Sequence, residues 1–187
     1  PSLVGSEMCI RDRGMIDQAN AGDTIKLSSN TEVHATLQIT KNLTLDLNGH
    51  VLKMTGDGSV LKVSDRATLT IQDSSANGTG TITGGNAEYG GGVYVDNNAT
   101  LKMTGGCITG CHASRGGGGI YSSGNLYMGG TAKIEKCTGS DDAIWNREKS
   151  DIYADGGTVD GTVNNQGTIK RSEGAAAVTV FNGTVYN

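Results

Sequence analysis

The chain has 187 residues and a formal net charge of −4 at pH 7, from 15 Lys or Arg and 19 Asp or Glu. This balance excludes a basic nucleic-acid-binding surface, and no apolar run approaches the length of a membrane span. Glycine is abundant (30 residues) and proline occurs once, while aromatic residues make up only 4% of the chain, which excludes a conventional aromatic core. The length fits one domain.

The first segment of the chain does not match the pattern of the remainder. Leu3–Arg13, and above all its core MCIRDR, resembles the conceptual translation of a transposase-derived sequencing adapter. We therefore interpret residues 1–13 as a non-native artefact segment, with a genuine capping segment as the alternative. On this interpretation residues 14–187 form a single domain, and we expect that domain to be truncated at both ends, as in a gene read from fragmented environmental DNA.

A short amphipathic helix is expected at the start of the native part. Met15, Ile16 and Ala19 share one helical face, Gly22 ends the turn, and Thr24–Leu27 provides the first strand. Such a helix would cover the apolar end of the domain that follows, so we predict a short N-terminal capping helix.

A repeat of roughly two dozen residues then occurs about five times or more along the chain. It is clearest in residues 93–109, 120–135 and 144–160, where short strands of alternating apolar residues are separated by Gly, Asn and Asp turns. Strands at a fixed period without helices between them predict a stacked all-β solenoid, a parallel β-helix of about five to seven rungs. After residue 160 the pattern loosens, and we expect one or two irregular rungs there.

The rung register can be predicted from matching positions that recur roughly every 25 to 32 residues. One strand contributes the column Leu43, Leu69, Leu101, Leu126 and Ile152, and the next strand contributes Leu52, Ile82, Ile108, Ile134 and Val159. Because side chains alternate along a strand, Leu45, Ile71, Met103, Met128 and Ala154 should also face inward, whereas Thr44, Thr70, Lys102, Tyr127 and Tyr153 should face outward. The extra residues 74–80 and 83–92 are expected to be loops.

Several of these motifs carry a family resemblance. Residues 21–27 (AGDTIKL), 43–50 (LTLDLNGH), 106–110 (GCITG) and 117–121 (GGGIY) resemble right-handed parallel β-helix domains of the pectate-lyase-like superfamily, in particular repeat regions of large bacterial surface and secreted proteins. The resemblance implies a right-handed helix and an extracellular or cell-surface location. It says little about activity, because this fold carries lyases, hydrolases, adhesins and scaffolds.

Enzymes of the superfamily place carboxylates and a basic residue on the outer face of neighbouring rungs. Here the weak candidates for catalysis are Glu135 and Asp160, which lie one rung apart beside lysines, although solvated surface charge is the commoner explanation of such a pair. The galacturonase-type motifs are absent as a set.

Outward aromatic residues suggest binding rather than catalysis. The carbohydrate-contact candidates are Lys102, Tyr127, Tyr153 and Trp145, since exposed aromatic rings can pack on sugar rings. An aromatic ladder that only covers the strand backbone is the favoured alternative. The direction of Trp145 stays open, because it follows the inward Ile144.

Three cysteines lie within the repeats. Cys111 and Cys137 each follow an inward isoleucine by three residues, so they should stack on adjacent rungs as free thiols, with a disulfide as an alternative. In related repeats this position often holds an interior asparagine ladder. A zinc site with Cys107 and His112 has non-standard spacing, so we predict no metal and no cofactor.

Taken together, the sequence predicts a non-catalytic structural or adhesin-like module of a larger bacterial surface or secreted protein. Its expected partners are polysaccharides or host-cell glycans, contacted along the outer face. The alternative is a fragment of a polysaccharide lyase or glycoside hydrolase of the same superfamily.

Overall fold

A computed structural model describes residues 11–139 and 142–187. Within them lie one helix, α1 Arg11–Gln18, and strands that are mostly three to five residues long. The strands are β1 Thr24–Lys26, β2 Thr31–Val33, β3 Leu37–Ile39, β4 Leu43–Asp46, β5 Val51–Met54, β6 Leu61–Val63, β7 Thr68–Gln72, β8 Thr81–Thr83, β9 Asn86–Tyr89, β10 Val93–Val95, β11 Thr100–Met103, β12 Cys107–Thr109, β13 His112–Gly116, β14 Ile120–Ser122, β15 Asn125–Glu135, β16 Thr138–Gly139, β17 Asp142–Asn146, β18 Asp151–Val159, β19 Thr162–Asn165, β20 Thr168–Lys170, β21 Val180–Phe181 and β22 Val185–Tyr186.

These strands form three sheets in which every strand pair is parallel. The first sheet is curled: one arm runs β1-β4-β7-β11 and the other runs β2-β5-β8-β12, and the long strands β15 and β18 belong to both arms. The second sheet has seven strands in the order β3-β6-β10-β14-β17-β19-β22, and the third has three, β9-β13-β16. The chain visits the sheets in turn, so each circuit lies on the one before it, as in a solenoid-like fold.

The predicted register of the first sheet is confirmed along both arms. Leu101 pairs with Leu69 on one side and with Leu126 on the other, and Ile108 pairs in the same way with Ile82 and Ile134. The remaining members of both inward columns pair as the repeat predicts. The outward column continues at both ends, as Thr24, Thr44, Thr70, Lys102, Tyr127, Tyr153 and Lys170.

Burial follows the same alternation along each strand. Leu101, Met103 and Ile108 are fully buried, as are Leu126 and Ile134. The second sheet supplies the opposite wall with the buried column Leu37, Leu61, Val93, Ile120, Ile144 and Val163. One continuous apolar core therefore runs through the stack, and each circuit is stabilised by the circuits above and below it.

Three successive strands of the second arm, β8, β12 and β15, are each followed by a left-handed residue. Gly84 and Gly110 have φ values of 80° and 60° at this point, and the next circuit has Lys136 there with φ 51°. A side chain at the first site would meet the Met54 carbonyl oxygen at 2.4 Å, which explains the glycine. Lys136 adopts the same backbone without that freedom, at a cost in local strain.

The loop prediction for residues 83–92 is wrong in part. Asn86–Tyr89 forms β9, which pairs in parallel with β13 and so begins the third sheet. Its side chains are exposed or half-buried, with none in the core. The apolar alternation that predicts the other strands is therefore absent from this one, because backbone pairing rather than burial defines it.

At the start of the described chain, α1 packs against β3, and the side chains of Ile16 and Ala19 are buried. A capping role for this helix stays a prediction. The segment 1–13 predicted to be an artefact lies outside the described residues except for 11–13, where the helix begins. No helix among the described residues is long and apolar enough to span a bilayer.

Candidate functional site

Three of the four predicted carbohydrate-contact residues come together on the outer face of the first sheet. The rings of Tyr127 and Tyr153 stack face to face, with centroids 4.0 Å apart and planes 5° from parallel. The ammonium group of Lys102 lies 5.4 Å from the centre of the Tyr127 ring, and that of Lys170 lies 4.8 Å from the centre of the Tyr153 ring. We call this column Lys102, Tyr127, Tyr153 and Lys170 the tyrosine ladder.

The faces of both tyrosine rings are covered by other members of the tyrosine ladder. Each ring has the other ring on one side and a lysine on the other, so cation–π attraction is satisfied within the column. Lys170 also forms an ion pair with Asp151 at 2.7 Å. Burial and the neighbouring Tyr153 hydroxyl raise the pKa of Tyr127. The ring faces are therefore occupied, and the side chain of Tyr153 is hydrogen-bonded with Tyr127 and Lys170. This favours the predicted alternative of an aromatic ladder covering the strands.

The fourth candidate, Trp145, lies on a different sheet. It pairs in register with Tyr121 on the second sheet, whose outward column also contains Tyr94. Tyr121 is stacked on Tyr94 at 4.9 Å, and Tyr89 from the third sheet lies 4.9 Å from Tyr121 and 6.1 Å from Trp145. We call Tyr89, Tyr94, Tyr121 and Trp145 the four-ring cluster.

A glycine makes room for the tryptophan of this cluster. A Cβ atom on Gly116 would lie 1.7 Å from Trp145 Cε3, so any larger residue would displace the ring. The indole Nε1 is buried and has no hydrogen-bond partner among residues 11–139 and 142–187. The sequence contained a signal for this cluster, because Tyr94, Tyr121 and Trp145 each follow an inward residue at the same point of three successive repeats.

The two weak catalytic candidates lie on adjacent circuits at the end of the second arm. The backbone N–H of Asp160 donates to the Ile134 carbonyl at 2.8 Å, which places Asp160 next to Glu135 in the stack. Glu135 accepts from Lys133 at 2.5 Å and lies 3.9 Å from Lys136. The hydrogen bond from Lys133 lowers the pKa of Glu135. Glu135 is therefore an ion-paired carboxylate, whereas a general acid must hold a proton near neutral pH.

The cysteines lie as the repeat predicts. Thr138 N–H donates to the Cys111 carbonyl at 2.8 Å, so Cys111 and Cys137 stack on adjacent circuits, and both are free thiols. The hydrogen bond with Cys111, together with burial, raises the pKa of Cys137. Cys107 lies on the other face of its strand, and burial raises its pKa to about 11. Within residues 11–139 and 142–187 no group of three His, Cys, Asp or Glu side chains is placed to hold a metal ion.

An asparagine ladder does occur, but it lies at the ends of strands in the second sheet and not at the cysteine positions that the sequence suggested. The Asn146 side-chain amide donates to the Asn165 side-chain oxygen at 2.8 Å, and Asn165 donates to Asn187 in the same way at 2.8 Å. The amide of Asn146 also reaches the Ser150 carbonyl at 3.2 Å. The ladder continues the column of Val95 and Ser122, where the core changes from apolar to polar. Its position was missed because these asparagines follow irregular spacings.

Two buried or half-buried aspartates were also missed. Asp46 accepts hydrogen bonds from the backbone N–H groups of Asn48 and Ser74, both at 3.0 Å. Asp73, in the turn of the next circuit, accepts from Gly49 and Gly80. Burial raises the pKa of Asp46, but the hydrogen bonds from Ser74 and its neighbours outweigh that effect and lower it overall. These carboxylates tie turns of successive circuits together, which is a structural task.

Comparison of the chain with protein-family models, curated proteins and solved structures gives no match. The resemblance to the pectate-lyase-like superfamily therefore depends on the repeat motifs alone.

Proposed function

We propose that this chain is a non-catalytic structural module, a right-handed parallel β-helix of a bacterial cell-surface or secreted protein that contacts carbohydrate through its outer surface. The parallel, stacked and curled sheets support the architectural part, since a solenoid of this kind extends in one direction by adding circuits. The handedness, the superfamily and the extracellular location are parts of the proposal that the repeat motifs support. The capping role of α1 is a further part, which the burial of Ile16 and Ala19 supports.

The observation that carries the proposal is the tyrosine ladder. Its four outward side chains lie on four successive circuits and bind one another through ring stacking and cation–π contacts. Cross-strand pairs of this type stabilise a sheet. A surface whose side chains bind one another from circuit to circuit suits a stalk or scaffold, and it leaves the ring edges for weak contacts with a glycan.

The state of the acidic pair points the same way. Glu135 is held by Lys133 and has a lowered pKa, so it is ionised at neutral pH. Glycoside hydrolysis requires one carboxyl group that keeps its proton while the other is ionised. Glu135 could therefore serve only as the ionised member of such a pair and not as its acid, so the geometry supplies one of the two required groups and supports the enzymatic alternative less than the structural one.

A turnover assay tests this proposal. Purified protein would be incubated with polygalacturonate, with and without calcium, and with a neutral polysaccharide, while new reducing ends and unsaturated uronate products are measured. We expect no product, together with retention of the protein on a glycan array. Product formation that disappears in Glu135→Gln or Asp160→Asn, but not in the exposed-surface control Asp65→Asn, would establish the enzymatic alternative instead.

A further inference from the structure

A groove of about 700 Å³ lies beside the third sheet, away from the tyrosine ladder. Its walls include Asp57 from the turn after β5, Asn86 and Glu88 from β9, and Tyr89 and Tyr94 from the four-ring cluster. The volume is in the range of about 300 to 1,000 Å³ that is typical of small-ligand sites. We call it the acidic groove.

The walls of the acidic groove are fixed by backbone contacts. Gly58 N–H donates to the Asn86 carbonyl at 2.7 Å, and Asn86 N–H donates back to the Gly58 carbonyl at 3.0 Å. This antiparallel bridge differs from the parallel pairing of the three sheets and joins the two sides of the groove. Ser59 adds a hydrogen bond from its hydroxyl to the Tyr89 carbonyl at 3.3 Å. A groove held in this way is formed before a ligand arrives, which lowers the entropic cost of binding.

The aromatic wall is equally constrained. Tyr94 is packed between Tyr121, with ring centroids 4.9 Å apart, and the Lys62 ammonium group, 5.2 Å from the ring centre. Tyr89 packs on Tyr121 and on Trp145. Both groove tyrosines therefore present a fixed ring edge beside polar groups, and the side chain of Arg115 is hydrogen-bonded with Tyr89. An apolar edge next to polar groups suits amphipathic ligands.

The charge of the groove is negative. Two carboxylates, Asp57 and Glu88, line it, and Glu88 is bound by Arg115 through a 2.7 Å ion pair. Lys62 lies 3.9 Å from Asp96, so its charge is already balanced. Asp57 accepts a hydrogen bond from the Asn86 amide at 3.2 Å but has no ion pair of this kind within the described part of the chain. One negative charge is thus left without a cation.

We propose that the acidic groove is a saccharide-binding site that prefers amino sugars in their protonated form over uronates. This inference deepens the proposed function and rests on its carbohydrate contact. Carboxylate and amide groups, such as those of Asp57 and Asn86, hydrogen-bond pairs of sugar hydroxyls. The uncompensated carboxylate of Asp57 attracts an ammonium group through a charge-assisted hydrogen bond and repels the carboxylate of a uronate.

The test is a calorimetric titration with three oligosaccharides of equal length: a glucosamine oligomer, its N-acetylated counterpart and a galacturonate oligomer. We expect the glucosamine oligomer to bind most tightly, the acetylated oligomer more weakly, and the galacturonate oligomer not at all. Asp57→Asn should lower the affinity for the glucosamine oligomer by about tenfold or more, because it removes a charge-assisted hydrogen bond. The matched control, Asp65→Asn, removes an exposed carboxylate that does not line the groove and should leave the affinity unchanged.

A second variant tests the charge argument in the opposite direction. Glu88→Gln removes the carboxylate that balances the charge of Arg115, whose side chain also contacts Tyr89 in the groove wall. The groove becomes less negative, so binding of the galacturonate oligomer should become measurable while binding of the glucosamine oligomer weakens. Thermal melts of each variant show whether the fold is intact before affinities are compared.

Three results would overturn the proposal: equal losses in Asp57→Asn and Asp65→Asn, tighter binding of the galacturonate oligomer than of the glucosamine oligomer by the unchanged protein, or no binding of any of the three. The first result would mean that the affinity depends on the net charge of the protein surface and not on the position of Asp57. None of them decides the proposed function, which is judged separately by product formation and retention on the glycan array.

Discussion

Replacement of Asp73 tests how the turns of successive circuits are held together. The carboxylate accepts three backbone N–H groups: Gly49 at 2.8 Å and Ser75 at 3.1 Å on one oxygen, and Gly80 at 2.6 Å on the other. In Asp73→Asn one oxygen becomes an amide nitrogen, which is a donor. At least one N–H then loses its acceptor, and the charge that strengthened the other bonds is removed.

The expected cost follows from these contacts. Hydrogen bonds to a charged group contribute about 1.5–3 kcal/mol each, and Asp73 is half-buried, so part of this is recovered from water. We expect Asp73→Asn to lower the free energy of unfolding by about 2–3 kcal/mol, which corresponds to a melting-temperature decrease of about 4–12 °C for a chain of this size. The exposed Asp160→Asn should change it by less than about 0.5 kcal/mol.

The same contacts predict a pH dependence. Burial raises the pKa of Asp73, but hydrogen bonds from Gly80, Ser75 and Gly49 outweigh it and leave the pKa below the ordinary value of 3.8. Because the folded pKa is lowered, the stabilisation is fully present above that ordinary value and is lost as the pH falls through the folded pKa. Urea unfolding at neutral pH and at a series of acidic pH values should show the unchanged protein losing more stability on acidification than Asp73→Asn. Equal stability of the two proteins at neutral pH, or parallel pH profiles, would refute this reasoning.

Three further substitutions test the core, the tyrosine ladder and the strained turn. Leu101→Ala, at a fully buried position, should cost about 2–5 kcal/mol in urea unfolding; a cost below about 1 kcal/mol would mean that the side chain does not face the core. A double-mutant cycle of Tyr127→Leu and Tyr153→Leu should give a coupling energy of about 0.5–1.5 kcal/mol, and a coupling of zero would contradict ring stacking. Lys136→Gly should raise the thermal stability by about 1 kcal/mol because it relieves the left-handed backbone, whereas a decrease would show that the contact of Lys136 with Glu135 outweighs the strain.

The inward columns of the first sheet could be predicted from the sequence because two regularities act together. Alternation fixes which face Leu101 and Met103 share, and the repeat fixes which residue lies above and below each of them. An error in one circuit would put all its apolar side chains in water, so the register is strongly determined. The stacking of Cys111 beside Cys137 could be predicted for the same reason.

The third sheet and the groove beside it could not be predicted in this way. Strand Asn86–Tyr89 has no buried face, so its sequence lacks the apolar alternation from which a strand could be predicted. The position of Trp145 against Gly116 depends on how two circuits meet at a corner, and the repeat does not specify that. The contacts of Lys102 and Lys170 with the tyrosine rings depend on side-chain conformations, which the alternation leaves free.

The stacking of successive circuits in parallel register underlies both proposals, and a distance measurement tests it most directly. Spin labels on two noncanonical amino acids, placed at the outward positions of Thr44 and Lys170, would lie five register steps apart along one column. With strands about 4.8 Å apart, the account predicts a narrow distribution of distances between the two labelled positions, centred at about 24 Å. A broad distribution, or a centre far from this value, would contradict the stacked architecture and with it the positions of the tyrosine ladder and the acidic groove.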